Sequence, residues 1–195
     1  MKLQFWYDFA STYSYLAAAR IETLAEVADV TVEWQPFLLG PLFAAQGWRD
    51  SPFNLYPVKG EYMWRDLGRA CDELGLPLKR SSVFPRNGLL AARVGLVAAE
   101  EGWCPAFTRA VFHENFAQDR DIASPEVIGG IVEALGQPGA ATLARAASDE
   151  IKGRLRQVSE NAAKRGLFGA PSFLVGDELF WGNDRLEQAL RWAKR

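Results

Sequence analysis

Strand-like segments occur only near the two ends of the chain, and this is the feature that most restricts the fold. Residues 3–9 and 30–34 are rich in aromatic and β-branched side chains. Near the other end, Ser172–Val175 and Glu178–Trp181 flank a Gly-Asp dipeptide, a two-residue turn typical of an antiparallel hairpin. The long stretch between them has helical periodicity instead. A single sheet must therefore be assembled from both ends of the chain.

Helical patterns fill the remainder of the sequence. The first, predicted from Thr12 to about Ala28, joins the two N-terminal strands, and such a strand–helix–strand unit is normally a right-handed parallel crossover. Ser124 before a proline and Ser148 before two acidic residues are typical helix starts. Residues 40–57 are interrupted by Gly, Pro and bulky aromatics, which predicts an ordered loop.

Composition and charge narrow the function classes. The chain has 195 residues, 49% of them hydrophobic, which suits one domain or one domain with a large insertion. A net charge of −2 with dispersed basic residues disfavours nucleic acid as a partner, and no apolar run approaches a membrane span. No signal-peptide pattern is visible, so the sequence predicts a cytoplasmic protein. Cys71 and Cys104 are then expected to be free thiols, and with the lone His113 they predict no metal site.

The order of elements predicts an α/β, thioredoxin-like fold with a large all-helical insertion. On this interpretation residues 1–41 and 150–195 form the thioredoxin-like domain, and residues 42–149 form the inserted helical domain. Thioredoxin-like proteins carry Cys-x-x-Cys at the first strand-to-helix turn. Ser11 and Ser14 have that spacing here, and serine cannot form a disulfide, which excludes dithiol exchange at this turn. A hydroxyl at a helix N-terminus favours an anion, so any thiolate must come from a ligand.

Three distant segments converge if this topology is correct: the Ser11 turn, the Ala170-Pro171 dipeptide before the third strand, and residues 181–184 after the fourth. In the thioredoxin fold that proline is usually cis, which leaves the backbone of Ala170 free to pair with an extended peptide. Simpler alternatives remain open for each segment. Pro171 could merely start a strand, Ser11 could merely cap a helix, and Asp184 could form a capping box with Glu187.

Five segments resemble the 2-hydroxychromene-2-carboxylate isomerases, which belong with the kappa-class glutathione transferases and the DsbA-like thioredoxin superfamily. They are Tyr7-Asp8-Phe9-Ala10-Ser11-Thr12-Tyr13-Ser14-Tyr15-Leu16, Pro36-Phe37-Leu38-Leu39-Gly40, Lys59-Gly60-Glu61-Tyr62-Met63-Trp64-Arg65-Asp66-Leu67, Gly166-Leu167-Phe168-Gly169-Ala170-Pro171-Ser172-Phe173 and Leu179-Phe180-Trp181-Gly182-Asn183-Asp184-Arg185-Leu186. The resemblance spans nearly the whole chain. It implies a glutathione-dependent enzyme that acts on a small molecule, in a homodimer.

The resemblance also implies roles for individual residues. Ser11 would face the glutathione sulfur and donate a hydrogen bond to its thiolate. Ala170, before a cis Pro171, would pair with the cysteinyl backbone of glutathione. The γ-glutamyl end would lie against Trp181, Gly182, Asn183 and Asp184. A free thiol has a pKa of about 8.5, and a helix N-terminus with a hydroxyl donor lowers it.

The substrate region departs from the family. Relatives often carry Phe-Lys-x-x-Gly-Asn after the second strand, whereas this chain has Ala44 at the lysine position and Trp48 at the asparagine position. Asn54 and Phe84 fall close to positions that contact substrate in the family. The missing lysine predicts a more apolar mouth, unless another cation such as Arg49, Lys59 or Arg86 receives the substrate carboxylate.

Three function classes follow from these observations. The first is an isomerase of the hydroxychromene-carboxylate type, in which glutathione adds to a conjugated aromatic-derived substrate and leaves again. The second is a kappa-like glutathione transferase or peroxidase, and the third is a non-catalytic glutathione-binding protein. Isomerisation regenerates free glutathione, transfer consumes it, and binding alone does neither.

Overall fold

The computed structural model describes residues 2–195. In these residues four strands form one sheet, and ten α-helices pack around it. The strands are β1 (Lys2–Tyr7), β2 (Thr31–Pro36), β3 (Ser172–Val175) and β4 (Glu178–Trp181). The helices are α1 (Thr12–Ala28), α2 (Leu39–Ala45), α3 (Pro52–Leu55), α4 (Pro57–Leu74), α5 (Leu89–Glu101), α6 (Cys104–Phe116), α7 (Pro125–Ala134), α8 (Gly139–Ala146), α9 (Asp149–Lys164) and α10 (Leu186–Ala193), with a 3₁₀ turn at Asn183–Arg185. Within these residues, no helix is both long and apolar enough to cross a membrane.

The sheet has the order β2-β1-β3-β4. β1 and β2 run parallel, and β1–β3 and β3–β4 are antiparallel. The parallel crossover through α1 and the β3–β4 hairpin were both predicted from the sequence, and both are confirmed. The first two strands lie at residues 2–7 and 31–36 rather than 3–9 and 30–34. Because β1 is an inner strand, the turn that follows it lies between its neighbours, at the end of the sheet where β1 finishes.

Side chains of β1 alternate between two apolar cores, one on each face of the sheet. Phe5 and Tyr7 belong to the larger core, which includes residues of α1, α4–α10 and β3. Trp6 belongs to the smaller core, with Phe37 before α2, Leu42 within α2 and Leu167 after α9. Burial of each such side chain contributes about 1.5–3 kcal/mol, which fixes the end of β1 firmly in place.

Most helix starts that the sequence predicted are confirmed. Ser124 and Ser148 are the N-caps of α7 and α9, where each side chain accepts a hydrogen bond from a first-turn N–H. The interpretation of residues 40–57 as a loop is wrong, because α2, α3 and the start of α4 lie there. Pro52 and Pro57 stand at the starts of α3 and α4, where a missing N–H costs nothing. These prolines begin helices rather than interrupt a chain.

The predicted cap of the last helix is also wrong. Asp184 lies within the 3₁₀ turn, and α10 begins at Leu186 after Arg185, with no side-chain capping bond. The Asp184 carboxylate lies 3.1 Å from the guanidinium of Arg185, and Glu187 pairs with Arg20 of α1. Both acids of the predicted capping box are therefore engaged by arginines.

Candidate functional site

A large cavity of about 1270 Å³ lies beside the N-terminus of α1. Its walls come from the turn after β1, from α2–α4, from the segment before α5, and from residues 168–170 with Trp181. Many of the lining side chains are aromatic, including Phe43, Trp48, Phe53, Tyr62, Phe84 and Trp181. The cavity therefore suits a ligand with a flat apolar body.

Ser11 lies on the cavity wall as the N-cap of α1. Its Oγ accepts a hydrogen bond from the Ser14 N–H at 3.2 Å and donates one to the Ala170 carbonyl at 3.0 Å. Ser11 thus acts as a helix cap and also contacts the opposite end of the chain. A hydroxyl has one proton, so an anion that took a hydrogen bond from Ser11 would compete with Ala170 for it.

Ser14 does not share this position. Its side chain is buried, and its Oγ has no hydrogen-bond partner among residues 2–195. Only one of the two serines at the Cys-x-x-Cys spacing therefore reaches the cavity.

The segment before β3 is held at several points. The Ala170–Pro171 peptide bond is cis, as predicted. The Gly182 N–H donates to the Pro171 carbonyl at 2.9 Å, and Ser172 Oγ donates to the Gly169 carbonyl at 2.8 Å. These bonds leave Ala170 half-buried on the cavity wall, facing Ser11.

Trp181 lies at the rim of the cavity rather than in the core. Its side chain is 53% exposed, and its ring packs edge-to-face on Phe168 at 4.9 Å. Gly169 permits this placement, because a Cβ there would overlap Nε1 of the indole and lie 3.0 Å from Cε2. Two aromatic rings thus border the Ala170 side of the site.

The other three residues predicted to receive glutathione follow Trp181 but lie outside the cavity wall. Gly182 has a φ of 109°, a conformation that favours glycine. Asn183 is turned toward Arg20 of α1, whose Nε donates to Asn183 Oδ1 at 3.2 Å and whose Nη2 donates to its carbonyl at 2.7 Å. Asp184 is exposed. The structure thus brings Ser11, Ala170 and Trp181 together and places residues 182–184 beside them.

Of the two predicted substrate contacts, only Phe84 lines the cavity. Asn54 is exposed, and its Nδ2 donates to the Phe84 carbonyl at 3.0 Å and to the Asp50 carboxylate at 3.0 and 3.2 Å. Asn54 therefore supports the wall instead of forming its surface. The Phe84–Pro85 bond in this wall is a second cis peptide.

Asp8 is a buried cavity residue that sequence reasoning left without a role. It is 5% exposed, and its two oxygens accept from the N–H groups of Ala10 at 2.8 Å and Leu39 at 2.7 Å. Burial raises the pKa of the Asp8 carboxyl, and the two N–H bonds oppose that effect. The sequence carries a sign of this burial, because Asp8 is the one charged residue in the aromatic run Phe-Trp-Tyr-Asp-Phe. Asp8 ties the Ser11 turn to the first residue of α2.

Arg86 was a candidate to receive a substrate carboxylate, but other groups occupy its guanidinium. The side chain is buried, pairs with Asp119, and donates to Asn115 Oδ1 at 3.0 Å. Asn115 in turn donates to the Phe9 carbonyl at 2.9 Å. The N–H of Ser82, followed by Arg86, lowers the pKa of Asp119 to about 2. Arg86 therefore ties the insertion to the end of β1.

Neither cysteine of the chain is placed to act in the cavity. Cys71 and Cys104 are free and buried, in α4 and α6 respectively. Burial raises the pKa of Cys71 to about 11, and burial also raises the pKa of Cys104, which contacts Tyr7 and Thr108. Raised pKa values keep both thiols protonated and unreactive. A thiolate in this cavity must be brought by a ligand.

The fold and this site can be compared with known proteins. The family model of the DsbA-like thioredoxin domain matches residues 2–191. The chain belongs to the DsbA-like thioredoxin family. The predicted thioredoxin-like fold with inserted helices is thereby confirmed.

The curated relatives of this chain include enzymes of two kinds. A 2-hydroxychromene-2-carboxylate isomerase from Sphingobium xenophagum is 30% identical over 186 residues, covering 95% of this chain and 94% of the isomerase. A solved structure of 2-hydroxychromene-2-carboxylate isomerase matches with a TM-score of 0.87 at 26% identity, covering 96% of this chain and 92% of that chain. Glutathione S-transferase kappa 1 from Homo sapiens is 24% identical, covering 95% of this chain and 87% of the transferase. The resemblance inferred from the sequence is confirmed.

Proposed function

We propose that the protein is a glutathione-dependent cis–trans isomerase of the 2-hydroxychromene-2-carboxylate type. The observation that carries the proposal is the Ser11 hydroxyl, which lies at the N-terminus of α1 on the wall of an aromatic cavity. This position suits a thiolate supplied by glutathione, since both cysteines of the chain are buried elsewhere. The 2-hydroxychromene-2-carboxylate isomerase relatives support the choice of reaction.

Ser11 and α1 prepare the thiolate for the reaction. The hydroxyl of Ser11 turns from the Ala170 carbonyl toward the sulfur and donates to it, while the N–H groups of the first turn of α1 favour negative charge. Together they lower the pKa of the glutathione thiol, so that more of it is ionised at neutral pH. Ala170 pairs through its backbone with the cysteinyl residue, and residues 181–184 receive the γ-glutamyl end.

The proposed reaction regenerates glutathione at the end of each turnover. The cyclic hemiketal of the substrate first opens to an unsaturated ketone and a phenol, as the bond to the ring oxygen breaks and the hydroxyl proton moves to that oxygen. The thiolate then adds to the double bond conjugated with the ketone, and the electron pair moves onto the ketone oxygen. Rotation occurs about the resulting single bond, and the electron pair returns to expel the thiolate. Covalent catalysis of this kind divides one hard isomerisation into easier steps. The aromatic walls, including Phe84, hold the substrate, and Asn54 supports them.

Counting free thiol during turnover tests this function. The purified protein is incubated with glutathione and 2-hydroxychromene-2-carboxylate, and both isomer formation and free thiol are followed. We expect product formation that requires glutathione, with the thiol concentration constant throughout. Stoichiometric loss of thiol with formation of a conjugate indicates a kappa-like transferase, which the human relative makes the second candidate. Glutathione binding without turnover indicates a non-catalytic protein.

A cysteine-free variant tests whether the reacting thiolate comes from glutathione or from the protein itself. The double variant Cys71→Ser, Cys104→Ser should keep its glutathione-dependent activity, because neither thiol lies in the cavity. Ser11→Ala should reduce activity by about 10- to 100-fold, the effect of losing one hydrogen bond to a charged group. If the double cysteine variant is inactive while folded, the assignment of the thiolate to glutathione is wrong.

A further inference from the structure

Five charged side chains line the cavity, and three of them are already engaged. Asp8 accepts hydrogen bonds from two backbone N–H groups, and Asp50 accepts from the N–H of Ser51 and the amide of Asn54. Arg86 pairs with Asp119 and is buried. These three groups hold the walls together and are not available to a ligand.

Two cations remain, Arg49 and Lys59. Both are exposed, both line the cavity, and neither forms an ion pair with any residue between 2 and 195. Arg49 and Lys59 are therefore the two cations of the cavity that remain free to pair with an anion. Lys59 belongs to α4 and Arg49 to the segment before α3, whereas Ser11 belongs to the turn after β1 and Ala170 to the segment before β3.

Lys59 is the better placed of the two cations. Its Nζ lies 5.9 Å from the centre of the Phe53 ring, and that ring packs against Tyr13 and Phe84 at 6.5 Å each. The backbone beside it is fixed, because Gly60 is buried so close to Phe53 that a Cβ there would overlap the Phe53 carbonyl oxygen. Lys59 thus presents a cation at the edge of an aromatic surface.

Arg49 lacks these supports. It lies in the segment between α2 and α3, and the next residue in the chain is the carboxylate of Asp50. Among the aromatic rings of residues 2–195, none lies beneath its guanidinium. An anion bound at Arg49 would therefore be more hydrated and less specifically oriented.

We propose that Lys59 binds the carboxylate of the substrate and so selects flat aromatic anions. The apolar body lies on Phe53 and Phe84, and the carboxylate reaches Nζ of Lys59. Lys59 thereby supplies the charge that Ala44 does not. The identity of the natural anion rests on the proposed function, whereas the binding role of Lys59 does not.

Binding of a stable probe tests Lys59 independently of catalysis. Isothermal titration calorimetry with 1-naphthoate and with uncharged 1-naphthamide, each at saturating glutathione, compares wild type with Lys59→Met, Lys59→Arg and Arg49→Met. We expect Lys59→Met to weaken 1-naphthoate binding by about 10- to 100-fold and to leave 1-naphthamide within about two-fold. Lys59→Arg should retain most of the affinity, and Arg49→Met should change it by less than about three-fold.

Each other pattern overturns the proposal. Equal loss for both probes makes Lys59 a structural residue, and a loss confined to Arg49→Met moves the anion site to Arg49. No binding of 1-naphthoate to wild type, or equal binding to wild type and Lys59→Met, also rejects it.

Enzyme kinetics distinguish failure of the isomerase proposal from failure of the Lys59 proposal. If the isomerase assay succeeds, Lys59→Met should raise KM for the carboxylate substrate with little change in kcat. If 1-naphthoate binding depends on Lys59 but no isomerisation occurs, the proposed function fails and the binding role of Lys59 stands.

Discussion

Ser11 Oγ donates a hydrogen bond to the carbonyl oxygen of Ala170 at 3.0 Å, across a separation of 159 residues. The bond joins the first helix to the segment before β3, the two parts of the chain that build the sheet from opposite ends. Because Ser11 also caps α1, one hydroxyl connects helix stability, sheet assembly and the cavity wall. A ligand that competes for this proton therefore acts at a point where the fold and the site meet.

The close approach of Gly169 to Trp181 gives a first prediction. Gly169→Ala should displace the indole, because its Cβ would overlap Nε1, and overpacking of this kind costs about 1–3 kcal/mol. We expect weaker glutathione binding by calorimetry and a lower free energy of unfolding in urea. Gly153→Ala in α9 is the matched control, since a Cβ there meets open space. It should preserve glutathione affinity, and it should raise the free energy of unfolding by about 0.5–1 kcal/mol because alanine favours a helix interior. Unchanged glutathione affinity in Gly169→Ala would place the tripeptide away from Trp181.

Arg20 gives a second prediction, because it holds the loop that follows Trp181. Its guanidinium donates to the side chain and carbonyl of Asn183 and pairs with Glu187. Arg20→Leu should lower stability by about 1–2 kcal/mol and weaken glutathione binding measurably, because the loop at 182–184 loses its anchor.

A control at another ion pair of α1, with Arg109 of α6, tests whether this effect is specific. Arg109→Leu removes the ion pair with Glu22 of α1, in which both side chains are about half exposed. This variant should leave glutathione affinity unchanged. Equal weakening by Arg20→Leu and Arg109→Leu would indicate a general loosening of α1 rather than a role for the loop.

The Asp119 carboxylate gives a pH prediction. The Ser82 N–H and Arg86 lower its pKa from the ordinary value of 3.8 to about 2 in the folded protein. A depressed pKa contributes stability above pH 3.8, and this contribution is lost as the pH falls through about 2. Urea unfolding across this window should therefore show a smaller loss of stability with acid in Asp119→Asn than in wild type. Asp177→Asn, at the exposed hairpin turn, should follow the wild type.

Local patterns predicted the secondary structure well wherever a residue's role is fixed by its neighbours in the chain. The β3–β4 hairpin and the caps Ser124 and Ser148 depend on turn chemistry and first-turn hydrogen bonds. The same local reasoning failed for Pro52 and Pro57, because proline both interrupts helices and begins them. The capping box at Asp184 is absent for a different reason. Arg185 pairs with Asp184 and Arg20 pairs with Glu187, the two acids that the box would use.

The site was predictable in part. Ser11, Ala170 and Trp181 were expected together because the last residues of β1, the first of β3 and the last of β4 lie at the same end of the sheet. The support of the walls was not foreseen, because it depends on contacts between residues far apart in sequence. Arg86 with Asp119, and Asn54 with the Phe84 carbonyl, have no local signature. Contacts of this kind become visible only when the helices between β2 and β3 are placed against β1 and against one another.

Titration of bound glutathione examines Ser11 most directly. The ultraviolet absorbance of the thiolate is followed against pH in complexes with wild type, Ser11→Ala and Ser148→Ala. Ser148 is a matched control, because it also caps a helix but lies at the start of α9. We expect the thiol pKa of bound glutathione to rise by about 1–2 units in Ser11→Ala, the equivalent of about 1.5–3 kcal/mol, and to stay unchanged in Ser148→Ala. The same pKa in all three complexes would leave Ser11 as a helix cap alone and contradict its role in holding the thiolate.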